Sequence, residues 1–400
     1  MKKTIVNLFV ILGLTTSAFA AAPSTPQPTP QDTDFSQRSK PATLKVLLQR
    51  QVPEFLLEVK GRHHIYNPFN GQEISNNLLS RRHRVTSLEN ANKLGEKSGI
   101  KWGESYDGFH QFRIVPHDTT SSILVNGIQY KGVVEIHLID GKFDVINEVD
   151  VESYLKTVLS STFPKPMQEE VLNAITIVAR TKAYFIGYRN KTSFWHIDAQ
   201  EVGYQGLAML PKPHIERAVE VTNHAIMTFN KLPFPATWTE NSAGKTVDYA
   251  AIFRKALTTP SGVEAPLAAK DRQQSKWTCS LSKELLAKAT DLHHVTGVDL
   301  YITPKAEKVY AVKVTGDSQV KDFDFVTFQK IVGAKKLRSN DFTVQTKGDE
   351  LVFTGYGEGP GVGLCLYSAK LMAEKGEKAP QILQAFFPET QVEQVKSLKW

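Results

Sequence analysis

Cysteine is nearly missing from these 400 residues: there are two, Cys279 and Cys365, 86 positions apart. That excludes a disulfide-dense scaffold and any Cys-rich zinc module. One bridge between them or two free thiols are the readings left open. Beyond the first 20 residues no apolar run is long enough to span a bilayer. The formal charge is +7, but the basic residues are interspersed rather than striped, which argues against a nucleic-acid partner. Gly244-Lys245-Thr246 ends like a phosphate loop, yet Thr239 stands where the first glycine of that motif belongs. No internal repeat is visible, and no His or Cys pattern supports a metal site or cofactor. His63-His64, His293-His294 and His196-Ile197-Asp198 lack supporting ligands at metal-binding spacing.

Lys2 and Lys3, the apolar run Ile5 to Leu14 and Ala18-Phe19-Ala20 form the three parts of a secretory signal peptide over residues 1–20. The expected mature chain is therefore exported, periplasmic or beyond, with no transmembrane anchor once the leader is cleaved. Its removal takes two lysines and no acid, lowering the formal excess from +7 to +5. Residues 21–42 are rich in Pro, Thr, Ser and Gln and read as a disordered linker. An N-terminal region, 43–111, carries short strand-like segments. The main domain is expected over 112–400, opening with hairpins turned at Asn126-Gly127 and Asp140-Gly141.

Two helical patterns follow. Asp150 is placed to cap the first, which carries Tyr154, Leu155, Val158 and Leu159 on one face and ends at Pro164 and Pro166. The second starts at Gln168, with Val171, Leu172, Ile175, Val178, Ala179 and Ala183 as an apolar stripe and Arg180 beside it. A further helix is predicted over Pro213 to Met227, then a strand or loop at PATWTEN. After Cys279 come a helix, strands, a short helix near Phe328 and two more strands.

Several segments, in order, resemble the SpoIID/LytB family of stage II sporulation protein D and amidase-enhancer proteins. Glu152-Ser153-Tyr154-Leu155 resembles its Glu-Asp-Tyr-Leu, and Thr162-Phe163-Pro164 its Glu-Met-Pro. Gly203-Tyr204-Gln205-Gly206 resembles Val-Tyr-x-Gly, Asn241 to Thr246 resembles Ser-Ser-Gly-Gly-x-Thr, and Gly359 to Leu366 resembles Gly-His-Gly-Val-Gly-Met-Ser-Gln. The resemblance implies an α+β fold of two lobes, built of short antiparallel strands and a few helices with a cleft between them. It also implies peptidoglycan glycan strands as partner, and either lytic transglycosylase activity or enhancement of a wall amidase.

The departures bear on catalysis. The family's acid corresponds to Thr162, whose hydroxyl cannot hold or release a proton near neutral pH as a carboxyl does. Its His and Gln correspond to Pro360 and Leu366, and the metal-binding cysteines of some members to Ile197 and Glu201. Glu240 and Glu170 are the substitute acids on offer, although Glu170 also suits a helix N-terminus. The substrate contacts expected from the resemblance are Thr162, Arg180, Tyr204, Ser242, Gly244, Thr246, Gly361 and Gly363. Each has a plainer reading. Arg180 would clamp two helices, Tyr204 would serve the core, Ser242 to Thr246 would be a polar turn, and the alternate glycines of GYGEGPGVG would pack against neighbouring backbone.

Overall fold

Asp150 is both the last residue of a strand and the cap of a helix. Its carboxylate accepts from the Ser153 backbone N–H at 2.9 Å, starting α1, Val151–Thr162. The chain cannot continue the helix through Pro164 and Pro166, and it re-enters at α2, Glu169–Arg189. In this computed structural model, which describes residues 42–88 and 98–395, α2 is buried on almost every side. Val171, Leu172, Ile175 and Val178 form the expected stripe, while Ala174, Thr176 and Ile177 are buried as well. The leader over 1–20 and the linker up to residue 41 lie outside the described residues.

The helix pair packs on a seven-stranded sheet whose order is Ile197–Asp198, Thr43–Val52, Lys142–Asp150, Val133–Ile139, Gln111–Pro116, His63–Tyr66 and Glu73–Leu78. Thr43–Val52 thus lies inside the sheet, antiparallel to Lys142–Asp150 and parallel to Ile197–Asp198. A six-stranded sheet built from Glu54–Lys60 and its neighbours contributes Phe55, Leu57, Val85 and Trp102 to the same core. Both predicted tight turns are present. Asn126-Gly127 and Asp140-Gly141 take left-handed backbone conformations at both positions and close hairpins of directly paired flanking residues.

The helix predicted over Pro213 to Met227 stops early, as Pro213–Val221. His224 adopts a positive φ of 59° and turns the chain into the strand Ala225–Thr228, which pairs with Gln391–Gln394. Backbone pairing with a partner distant in sequence overrides the helical spacing there. From Val247 to Val362 the chain builds a second core around Phe325, Phe328, Val312 and Phe353. Its helix Lys283–Thr290, capped by Ser282, its helix Phe325–Val332 and its antiparallel strands match the expected pattern. The whole is an α+β fold.

Arg180 joins the elements around α2. Its side chain is fully buried, and all five guanidinium N–H groups have acceptors. Nε and Nη2 donate to the two Glu152 carboxylate oxygens at 2.8 Å each. Nη1 donates to Thr222 Oγ1 and the Ala225 carbonyl, and Nη2 also to the Val219 carbonyl. This clamp replaces the expected substrate contact, since no donor remains for a ligand. Removing the carboxylate would leave a buried, unneutralised guanidinium. Glu152→Ala is expected to lower the unfolding free energy by ~3 to 5 kcal/mol. Lys156→Ala, which breaks the surface pair with Glu220, should cost under about 1 kcal/mol. Urea unfolding of both variants checks this, and a small loss in Glu152→Ala would show that the clamp is dispensable.

Candidate functional site

Two motif segments lie side by side. Trp238–Thr239 runs parallel to Leu364–Cys365, and Asn241 and Glu358 exchange both backbone hydrogen bonds at 2.9 Å. Farther along, Val247 N–H donates to the Gly361 carbonyl. Thr239 Oγ1 donates to the Glu358 carbonyl at 2.8 Å and accepts from Gly361 N–H at 3.2 Å. The close approach explains the glycines. A Cβ on Gly363 would meet the Thr237 carbonyl oxygen at 2.1 Å, and its φ of 77° already disfavours a side chain.

That arrangement corrects most of the expected contacts. Ser242 and Thr246 are buried, the latter bonded through Oγ1 to the Val263 backbone. Gly244 is buried with its Cα turned to Ala269, and Gly361 and Gly363 are approached by Asn340 Oδ1 and the Thr237 carbonyl. Tyr204 is a core residue. Its hydroxyl donates to Asn147 Oδ1 at 2.7 Å, and its ring lies between Tyr130 and Tyr154. The small and hydroxylated motif residues therefore shape the floor of the site, where only backbone can fit. Of the expected contacts only Thr162 is exposed, its hydroxyl bonded back to the Val158 carbonyl at 2.9 Å.

The side chains that line the open surface come from the edge of one motif and from segments outside the motifs. Asn241, Asp271, Arg338, Glu358 and Tyr367 line an open cleft of about 240 Å³. Tyr367 donates its hydroxyl to Asp271 at 2.8 Å and its N–H to the Glu240 carbonyl at 2.9 Å, which ties the start of the helix Leu366–Glu374 to the loop. Arg338 pairs with Glu358. Asp271, Arg338 and Tyr367 were missed because they lie outside the motifs, and Asn241 because the small residues after it drew the expectation; Glu358 inside the glycine run was the available signal.

Glu240 and Glu170 differ sharply. Glu170 accepts from Lys378 Nζ at 3.0 Å and from the Ala379 backbone N–H at 2.9 Å, which caps the C-terminal helix Ala379–Phe386. Although desolvation opposes it, those bonds hold its pKa below the ordinary carboxylate range. It is a helix anchor, which removes it as a candidate acid. Glu240 is shifted upward, chiefly by desolvation of its carboxyl, with the nearby Glu358 charge adding and Lys370 opposing. Trp238 and Glu240 share one face of their extended segment, with Thr239 buried on the other. Trp238 in turn meets the ring of Phe163 at 5.6 Å, beside Thr162. His214, whose ring nitrogen lies 3.1 Å from the Phe163 carbonyl, holds that turn in place.

Both cysteines are free, Cys365 in the first core and Cys279 at the edge of the second. Burial lowers His63 and His196 to about 4, so both are neutral at ordinary pH. Among the described residues no three His, Cys, Asp or Glu side chains gather into a metal-binding group.

The sign of the Glu240 shift gives a test. A carboxyl whose folded pKa is raised stabilises the fold at low pH, and that contribution is lost as the pH rises through the raised value. Glu240→Gln, neutral throughout, should therefore be more stable than wild type at neutral pH, with the gap closing in acid below about pH 4. Urea midpoints at neutral and acid pH measure it. A variant no more stable at neutral pH would contradict the shift.

The sequence model of the Stage II sporulation protein family, SpoIID, matches residues 139–229, the span of the helix pair and the helix after it. An uncharacterized protein of Chlamydia pneumoniae is 33% identical over 187 residues, 46% of this chain and 65% of the relative. Stage II sporulation protein D of Bacillus subtilis is 25% identical over 266 residues, 62% of this chain and 75% of that protein. The amidase enhancer of Bacillus subtilis is 25% identical over 360 residues, 75% of this chain and 48% of the enhancer. The chain thus spans less than two thirds of the length of the chlamydial relative it matches. It carries a segment that matches the SpoIID model over residues 139–229 and is similar beyond it to stage II sporulation protein D and the amidase enhancer, with Thr162 and Pro360 departing from the motifs.

Proposed function

We propose that this is an exported cell-wall protein that binds peptidoglycan glycan strands along the cleft between Asn241, Glu358 and Tyr367. The observation that carries the reading is the cleft itself: amide, guanidinium, carboxylate and phenol groups arranged around an open surface. Sugar hydroxyls hydrogen-bond to such groups, and an aromatic face suits the apolar side of a sugar ring. The family relationship supports the wall as its place of action, and the leader over residues 1–20 and the tether over 21–42 support export to it. No helix of the described residues is long and apolar enough to cross a membrane.

Glu240 favours a second reading, a lytic transglycosylase whose acid has moved from the Thr162 position to the facing segment. A protonated Glu240 would give its proton to the glycosidic oxygen as the C1–O bond breaks. The resulting carboxylate would take the proton of the muramyl C6 hydroxyl as that oxygen closes onto C1, leaving a 1,6-anhydro end and restoring the acid. Its raised pKa suits the first step. The third role, enhancement of a wall amidase without glycan cleavage, needs only the binding surface and a partner enzyme.

Sedimentation of the protein with insoluble peptidoglycan, before and after Tyr367→Ala with Asn241→Ala, tests binding. Loss of about tenfold in affinity is expected, ~1.4 kcal/mol for two central contacts. Failure of the wild type to sediment would end the binding reading. Mass analysis of digested, peptide-free glycan tests cleavage: anhydro products from wild type and none from Glu240→Gln would establish the acid. Their persistence in Glu240→Gln would reject it. Should wild type bind but not cleave, Thr162→Glu is expected to introduce cleavage without loss of binding.

A further inference from the structure

Lys182 lies two residues beyond Arg180, so the helical repeat turns it to the other side of α2. There it shares a face with Phe185, Ile186 and Arg189, at the spacing of three, four and seven residues. This face borders a cavity of about 380 Å³, closed opposite by the segments around Ile197 to Val202 and Tyr249 to Leu257. Lys255 enters from the second of these segments. Three cations therefore line one volume, against a single carboxylate, Glu201. His196, also on the wall, is neutral at ordinary pH for the reason given above.

Lys182 is half-buried and makes no hydrogen bond or ion pair among the described residues. Desolvation, and then the charge of Lys255, pull its pKa below the ordinary lysine value. An ammonium partly withdrawn from water is costly unless a partner neutralises it, and none of the described residues pairs with it. The apolar part of the wall, Phe185, Ile186 and Leu257, cannot satisfy it but can cover a nonpolar substituent.

We propose that this cavity is a binding site for a small organic anion, a carboxylate or a phosphate monoester whose head pairs with Lys182, Lys255 and Arg189 while its apolar part rests on Phe185 and Leu257. The site lies on the opposite side of α2 from the clamp and is separate from the glycan cleft, so it stands whether or not glycan binds. Anion binding neutralises Lys182 and raises its pKa toward the ordinary lysine range.

The test titrates the full protein with inorganic phosphate, glycerol phosphate and N-acetyl-D-alanine at fixed ionic strength. Two signals are followed: melting temperature and the NMR resonance of the Lys182 ε-methylene. At least one anion is expected to raise the melting temperature and move that resonance. The arms separate the sources, since preference for the acetylated amino acid indicates a carboxylate ligand and preference for glycerol phosphate a phosphate ester. Lys182→Met should weaken the response about tenfold or more, while Lys245→Met, altering a surface lysine paired with Glu264, should leave it unchanged. Without anion, Lys182→Met is expected to be at least as stable as wild type, because it removes an unpaired buried charge. If that variant does not fold, Lys255→Gln, on an exposed segment, replaces it with the same expectation of weakened response. Absence of any anion response in wild type, or a response undiminished in the folded cavity variants, overturns the proposal.

Discussion

A guanidinium with no access to water organises the first lobe. Once Arg180 is carried into the core on α2, its charge and five donors must be answered by protein atoms, and the set that answers them comes from α1, the helix Pro213–Val221 and the turn before Ala225–Thr228. The penalty for misplacing any of these is the desolvation of a charge, far larger than a lost surface contact. Arginine suits the task because its planar fork takes both oxygens of Glu152 while presenting the remaining N–H groups to the Thr222 hydroxyl and the Val219 and Ala225 carbonyls. The position of Thr162 at the far end of α1 follows from this clamp, since fixing the first turn of a helix fixes the direction of its last.

The second lobe is tied to the first by another buried cation. Lys308 donates to the Ser242 carbonyl and to Asp341, both at 2.8 Å, and Arg272 closes on the same Asp341 while bonding the Ala243 carbonyl. Burial draws the Lys308 pKa down and Asp341 opposes it, so the ammonium depends on the carboxylate. The loop Ser242 to Thr246 is held from beneath by these groups. Its small and glycine positions are demanded by close packing, with Ser242 only 1% exposed. A motif can therefore border an open cleft while most of its own side chains are spent on packing.

The helix pair, the two tight hairpins and the α+β character were legible because each rests on local chemistry: a capping Asp150, proline stops, Asn-Gly and Asp-Gly turns. The placement of Thr43–Val52 inside the sheet was not, because strand order is set by pairings with Lys142–Asp150, far along the chain. The same kind of distant pairing shortened the helix after Pro213. Arg180 and Tyr204 were ambiguous for a different reason. Polar residues beside an apolar stripe look alike whether they face a ligand or a buried partner, and only the count of satisfied donors distinguishes them. Glu358 and Tyr367 escaped notice because the cleft forms where separate segments meet.

The carboxylates around the cleft have unequal reasons to be there. Asp271 accepts a hydrogen bond from Tyr367, and the charge of Glu358 is offset by Arg338. Glu240 is an exposed residue whose carboxyl is nonetheless shifted upward by partial desolvation, so its ionised form costs a modest, solvent-screened amount at neutral pH that a glutamine would not. What an acid supplies that an amide cannot is a transferable proton, or a charge that a bound ligand can meet. Two residues before Glu240, Trp238 meets the ring of Phe163, so the segment that carries Glu240 packs beside the turn that carries Thr162. Thr162 and Glu240 thus lie on neighbouring segments joined through the Phe163–Trp238 contact, so a change in the turn at either one is felt by the other.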